Sequence, residues 1–221
     1  MAHVGLGLVG YYQFIRGYPL GPDLKERLES VEWAGHQVEI KEMNWGPVAI
    51  VQDFQASGVS YDRIVLVAAV ARGGETGTVT CRQWVGGELG VMAVQQRIFE
   101  AVTGIISVDN LLVIGEHFKI WPREVIVIEV EIPDDSIGNL ILEELKVNRR
   151  EGRDTVIGEH AMAPDVEKTV EQIVAATRLA VDKGVVGMTD LVPLSVDDLN
   201  PPADICHNQL IEDIQLTTPI N

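Results

Sequence analysis

Arg63 opens an unbroken apolar run, Ile-Val-Leu-Val-Ala-Ala-Val70. A run of this length, rich in β-branched residues and without polar alternation, is typical of a strand that is buried on both faces. A second run, Glu124-Val-Ile-Val-Ile-Glu-Val-Glu131, has a similar apolar centre between charged residues. Strands buried on both faces occur mainly in parallel sheets covered by helices, so the two runs predict an α/β domain.

The rest of the chain supplies the elements that such a domain needs. Further strands are predicted at 4–9 and 37–40, and an alternating strand at 78–84 has the pattern of an edge or hairpin strand. Helical periodicity is present at 24–31, 48–55, 93–103 and 110–118, and in a last helix that begins at Pro164 and ends at Gly184. This alternation predicts a three-layer αβα fold with a twisted, mostly parallel sheet.

Two segments depart from this pattern. Residues 134–158 combine a short apolar helix pattern with a charged stretch, and residues 185–221 carry four prolines and no sustained period. We therefore predict a single α/β domain over 1–184, with an inserted segment at about 134–158. An extended acidic C-terminal arm over 185–221 follows it.

Charge and composition exclude several classes of function. The chain has 221 residues, 17 Lys and Arg against 33 Asp and Glu, and a formal net charge of −16. Such a surplus of negative charge disfavours binding to nucleic acid and to anionic membranes. No apolar run is long enough to span a bilayer, no basic region precedes the first apolar stretch, and two cysteines are too few for a disulfide scaffold. The sequence predicts a cytoplasmic protein whose acidic segments face a cationic patch of a partner.

Gly5-Leu-Gly-Leu-Val-Gly10 matches the glycine pattern of dinucleotide-binding loops. That chemistry requires a strand before the glycines and a helix N-terminus directly after them. Only four residues precede Gly5, and a loop with further glycines and prolines follows Gly10. Nucleotide binding is therefore an alternative, and glycines in and after a buried strand are the favoured interpretation.

Catalytic and metal-binding motifs are missing elsewhere. The five histidines form no H-E-x-x-H pair, and the serines form no G-x-S-x-G elbow, so we predict no catalytic residues. Carboxylates are abundant, and Glu129 and Glu131 lie at the end of a predicted strand. The carboxyl ends of strands are where ligand sites form in α/β folds.

The order of these pieces resembles the hydrogenase maturation proteases, endopeptidases that trim the C-terminus of the large subunit of nickel–iron hydrogenases. The resemblance covers roughly residues 1–183. It is carried by the glycine-bearing first loop with Leu20-Gly21 and by Arg63-Ile-Val-Leu-Val-Ala-Ala-Val-Ala-Arg-Gly-Gly-Glu-Thr-Gly-Thr-Val79. Trp121-Pro-Arg-Glu-Val125 and Met162-Ala-Pro-Asp-Val-Glu167 complete it. The fold that it implies agrees with the one predicted from periodicity.

The nickel chemistry of that family does not transfer to these residues. The resemblance implies an acidic ligand in the first loop, an aspartate at the end of the third strand and a histidine before the following helix. The matching positions hold Gly17 or Tyr18, then Ala68, then Val108 or Asp109, and Tyr11 stands where the family has an asparagine. One aspartate cannot hold a divalent ion, so we expect no nickel and no other cofactor.

These substitutions predict an apolar binding cleft in place of the metal site. The residues assigned to it are Tyr11, Tyr18, Trp45, Ala68, Arg72 and Asp109. The resulting hypothesis is a protease-like binding or assembly factor for a metalloenzyme or other protein. The expected partner is a hydrogenase large subunit or its C-terminal peptide, and a homo-oligomer through the arm is a further prediction.

Two alternatives remain besides nucleotide binding. An active endopeptidase with a rebuilt nickel site requires displaced ligands that converge within about 4–6 Å, and the candidates are Glu88, Asp109, Glu116 and His117. The other alternative is a structural or regulatory subunit that docks on another protein through its acidic surface.

Overall fold

The structure, a computed structural model, describes residues 1–13, 17–132 and 164–199, together with positions 139, 141, 142, 145, 146, 149, 150 and 152. Within these residues no helix combines the length and the apolar character that crossing a bilayer requires. The helices are α1 (Pro22–Glu29), α2 (Pro47–Ser57), α3 (Val91–Val102), α4 (Val108–His117), α5 (Pro164–Gly187) and the single turn α6 (Val196–Leu199).

Six strands form one sheet in the order β2-β1-β3-β5-β4-β6. They are β1 (His3–Val9), β2 (Gln37–Met43), β3 (Arg63–Val70), β4 (Val79–Gly86), β5 (Glu124–Glu131) and β6 (Val192–Ser195). Strands β2, β1, β3 and β5 are parallel to one another, whereas β4 runs antiparallel to β5 and β6 is parallel to β4. The predicted three-layer fold with a mostly parallel sheet is confirmed.

Each face of the sheet carries its own apolar core. Val4, Leu6 and Leu8 of β1 point to a cluster that includes Leu24 and Leu28 of α1 and Ile173 of α5. Val9 of the same strand belongs to a cluster with Ile50 of α2 and Leu111 of α4. Alternate residues of one strand thus point to opposite faces of the sheet. Because both faces are covered by apolar cores, the central strands are continuous apolar runs in the sequence.

The glycine motif of β1 has a packing role. A Cβ atom on Gly5 would lie 2.6 Å from Ile64 Cδ1, and one on Gly7 would lie 2.5 Å from Met43 Sδ. Helix α1 begins only after the intervening residues 10–21, so no helix N-terminus follows the glycines directly. The arrangement required for nucleotide binding is therefore not formed by this motif, and side-chain packing accounts for the two glycines.

Residues beyond the predicted domain boundary at 184 take part in the sheet. Residues 192–195 of the predicted arm form β6, which pairs with β4 and takes the edge position expected for β4. Apolar burial explains the addition, because Leu194, Val196 and Leu199 join the core cluster beside α4. The folded unit therefore extends to residue 199. Residues 200–221 and the inserted segment, apart from the positions given above, lie outside the described residues.

Candidate functional site

The carboxylate of Glu129 is buried at the carboxyl end of β5. Its side chain is only 3% exposed, and three guanidinium N–H groups donate to it. Arg72 Nε and Nη2 donate to Oε1 at 3.0 and 2.5 Å, and Arg82 Nε donates to Oε2 at 2.5 Å. A buried carboxylate requires this degree of compensation, because an unpaired charge in a dry site is strongly unfavourable.

Arg72 links this carboxylate to helix α4. Its Nη2 donates to Asp109 Oδ1 at 2.8 Å and its Nη1 to Oδ2 at 3.3 Å, a two-point contact with one carboxylate. Asp109 lies in the first turn of α4, where the helix dipole also favours negative charge. The guanidinium therefore occupies the space between Glu129 and Asp109. We call Arg72, Arg82, Asp109 and Glu129 the arginine–carboxylate cluster.

Hydrogen bonds from its backbone to the side chain of Glu131 fix the loop after β3 to β5. The backbone N–H groups of Arg72 and Gly73 donate to Glu131 Oε1 at 2.8 and 2.9 Å. Gly73 has φ +80°, a left-handed conformation that favours glycine. These contacts hold the start of the Arg72 side chain in place, so the position of its guanidinium follows from the register of β3 and β5.

The electrostatics of Arg72 follow from its surroundings. Burial by itself lowers the pKa of the Arg72 guanidinium, but the hydrogen bonds and charges of Glu129 and Asp109 outweigh this effect and raise that pKa above its ordinary value. Arg72 is therefore a permanent cation at the carboxyl edge of the sheet.

The residues present do not fit a nickel ion. Ala68 lies directly opposite Glu129 in the β3–β5 register, and its methyl group offers no ligand atom. The nearby carboxylates of Asp109 and Glu129 already accept from the Arg72 guanidinium, and that of Glu131 accepts from the Arg72 backbone N–H. Among the described residues, no group of three or more His, Cys, Asp and Glu side chains could hold a metal ion. The cation that lies between Asp109 and Glu129 is the guanidinium of Arg72.

The six residues assigned to the predicted apolar cleft lie in different parts of the structure. Tyr11 and Tyr18 are 5% and 2% exposed and pack in the core cluster on the α1 and α5 face. Ala68 belongs to the cluster on the opposite face. Of the six assigned residues, the structure brings Ala68, Arg72 and Asp109 to one region. Trp45 is about half exposed, in the loop between β2 and α2.

Three of the displaced ligands proposed for a rebuilt site lie on α4, at its two ends. Asp109 is in the first turn of α4 and Glu116 and His117 are in its last turn, so about 10 Å of helix lies between them. Glu116 instead accepts from Trp84 Nε1 at 3.1 Å and pairs with Lys119. Glu88 lies in the loop before α3. Helix geometry therefore keeps Asp109 apart from Glu116 and His117.

Burial of Tyr18 predicts a specific alkaline transition. Desolvation raises the pKa of Tyr18 from 10.0 to about 12. Because the folded state holds the Tyr18 proton more tightly than the unfolded state, deprotonation at high pH favours unfolding. The resulting contribution to the free energy of unfolding, about 2 to 3 kcal/mol, is fully present below pH 10 and is lost as the pH rises from 10 to 12. The free energy of unfolding should fall over that interval in the wild type and fall less in Tyr18→Phe. An unchanged pH slope in the variant would show that Tyr18 is not the group responsible.

Comparisons with known proteins give a likeness of fold. No protein-family model matches the sequence, and no curated protein matches it. Similar solved structures include a hydrogenase 2 maturation peptidase from a Thaumarchaeota archaeon, the endopeptidase HycI from Escherichia coli, and a hydrogenase 3 maturation protease. The first and the third carry the name of the family that the sequence resembles.

The similarity is distant in each case. The archaeal peptidase has 16% identity and a TM-score of 0.42, over 81% of this chain and 97% of that chain. HycI has 15% identity and a TM-score of 0.43, over 80% of this chain and 90% of HycI. The hydrogenase 3 protease has 15% identity and a TM-score of 0.39, over 78% and 88%. Such a likeness assigns no catalytic or binding residue, so the chemistry of this chain depends on its own side chains.

Proposed function

We propose that this protein is a metal-free, maturation protease-like factor that binds a protein partner and does not cleave it. The observation that supports this proposal is the guanidinium of Arg72 between the carboxylates of Asp109 and Glu129. A divalent ion could bind these carboxylates only after Arg72 had left, and Glu129 would still be paired with Arg82. Asp109 and Glu129 would in any case supply fewer ligands than a divalent ion requires.

The partner class follows from the sequence resemblance and from charge. A hydrogenase large subunit, or its C-terminal peptide, is the first partner to test, and a different metalloenzyme would fit the same role. The acidic surplus of the chain would favour a partner with a cationic contact patch. A cytoplasmic location and a homo-oligomer through the C-terminal arm remain predictions.

The test is to mix the full chain with a precursor large subunit that still carries its C-terminal extension, with and without added nickel. We expect a complex on gel filtration and a precursor of unchanged mass in both conditions. A large subunit without the extension is the control, and weaker binding to it would indicate that the extension is recognised. Shortening of the precursor in the presence of nickel would contradict the proposal.

A further inference from the structure

A cavity of about 600 Å³ lies between helix α5 and the loop that joins α1 to β2. Trp33, Val174 and Leu179 supply apolar side chains to its wall. Its size and its apolar side chains are typical of small-molecule sites in proteins. The loop leads into β2, whose first residue Gln37 pairs with His3 at the start of β1. The cavity therefore lies where the parallel strands begin, at the opposite edge of the sheet from the arginine–carboxylate cluster.

A strained turn holds the tryptophan of this cavity. The backbone N–H of His36 donates to the carbonyl of Trp33 at 2.8 Å, which closes a four-residue turn. Its central residues, Ala34 and Gly35, have φ +45° and +84°. Glycine adopts such left-handed conformations freely, whereas an alanine in one is strained, and strained residues cluster at ligand sites. At the end of the turn, His36 Nε2 lies 3.8 Å from Asp182 Oδ1.

Three further charged groups of the cavity wall interact with charges of the protein itself. Arg27 donates to Glu167, and the negative charge of Glu171 also raises the pKa of the Arg27 guanidinium. Asp182 pairs through its Oδ2 with Lys183 Nζ at 2.8 Å. The charges of Arg27, Glu171 and Asp182 are therefore at least partly compensated before any ligand enters.

Two charged side chains of opposite sign remain in the wall. Among the residues that the structure describes, neither Arg178 of α5 nor Glu32 of the loop takes part in a hydrogen bond or an ion pair, and both line the cavity. Glu32 directly precedes Trp33, so the two charges lie on the two elements that enclose the cavity. A ligand with a single charge would be attracted to one of them and repelled by the other, whereas a ligand with both charges is complementary to both.

We propose that this cavity binds a free α-amino acid with an aromatic or large aliphatic side chain. The carboxylate of the ligand accepts from the guanidinium of Arg178, whose planar fork of donors fits a carboxylate. The ammonium group of the ligand pairs with Glu32, and its side chain packs against the indole of Trp33. Because the cavity and the arginine–carboxylate cluster lie at opposite edges of the sheet, this ligand is separate from the protein partner of the proposed function.

Calorimetric titration of the full chain with L-phenylalanine, and with L-leucine as the aliphatic counterpart, tests this assignment. Two analogues of phenylalanine serve as comparisons: hydrocinnamate lacks the ammonium group, and phenethylamine lacks the carboxylate. We expect L-phenylalanine to bind saturably at one site and at least about fivefold more tightly than either analogue, because only the amino acid pairs with both Arg178 and Glu32.

Single substitutions locate the ligand. Arg178→Gln should weaken the binding of L-phenylalanine about fivefold without weakening that of phenethylamine, and Glu32→Gln should do the same without weakening that of hydrocinnamate. Lys168→Gln, at an exposed position of α5 outside the cavity, should leave all affinities unchanged. Trp33→Phe keeps an aromatic wall, so binding should persist while the change in tryptophan fluorescence on addition of L-phenylalanine disappears. Far-ultraviolet circular dichroism checks that each variant is folded.

Several results would overturn the proposal. If neither L-phenylalanine nor L-leucine binds saturably, the cavity is not an amino acid site. If either analogue binds as tightly as L-phenylalanine, the ligand does not need both charges. Unchanged affinity in both Arg178→Gln and Glu32→Gln, or a fluorescence change that persists in Trp33→Phe, would place the ligand elsewhere on the protein.

Discussion

Replacing Glu129 by Gln should lower the free energy of unfolding by about 3 kcal/mol. The substitution keeps the shape of the side chain but leaves Arg72 and Arg82 without the buried carboxylate that both contact. Removal of one partner from a buried ion pair typically costs about 3 to 5 kcal/mol. The lower end applies here because both arginine side chains are about a quarter exposed and can be partly hydrated.

Urea denaturation of the wild type and Glu129→Gln measures this difference. Glu171→Gln, at an exposed position on α5, is the control and should change the free energy of unfolding by less than about 0.5 kcal/mol. A loss below about 1 kcal/mol in Glu129→Gln would mean that the arginines find other partners, and the cluster would then not be the rigid unit described above.

Gly184→Ala should also lower the free energy of unfolding by about 3 kcal/mol, because of backbone strain and a side-chain clash. Gly184 has φ +61° and ψ −169°, a conformation that is essentially restricted to glycine. An added Cβ would lie 1.9 Å from Arg63 Nη2. That guanidinium donates to Glu124 Oε2 at 2.6 Å and to the carbonyls of Ala180 and Val181, so it cannot move without loss of the contacts that fix α5 to the sheet.

Gly58→Ala separates backbone strain from the side-chain clash. Gly58 ends α2 at φ +63°, and a Cβ at that position would meet no atom within 4 Å. Strain alone should cost about 1 to 2 kcal/mol there. Thermal or urea denaturation of both variants should therefore show the larger loss for Gly184→Ala. Equal losses would indicate that Arg63 relaxes freely and that its contacts with α5 contribute little.

Local pattern was sufficient to predict most of the fold. The two apolar runs that predict β3 and β5 correspond to those strands residue for residue, because strands covered on both faces need apolar side chains at most positions. The short apolar stretch of β6 was missed. The strand has only four residues, of which Val192 is exposed and Leu194 is buried, and the burial of Leu194 depends on β4 and α4, which are distant in sequence.

The site was predictable only in part. The position of Glu129 at a strand end indicated the edge of the sheet where the arginine–carboxylate cluster lies, and Arg72 and Asp109 were both assigned to the site. Their pairing was not foreseeable, because it depends on the register that places Ala68 opposite Glu129 and on the packing of α4. Arg82 was missed, since an arginine in an alternating strand is usually a solvated side chain and its contact with Glu129 arises from the β4–β5 pairing.

The central proposal is that the guanidinium of Arg72 keeps metal ions out of the space between Asp109 and Glu129. Titration of the purified full chain with nickel, followed by calorimetry and by metal analysis after dialysis, tests it most directly. We predict no nickel retained at this site and an identical titration for the wild type and Asp109→Asn. Saturable binding of one nickel ion per chain that Asp109→Asn abolishes would contradict the claim.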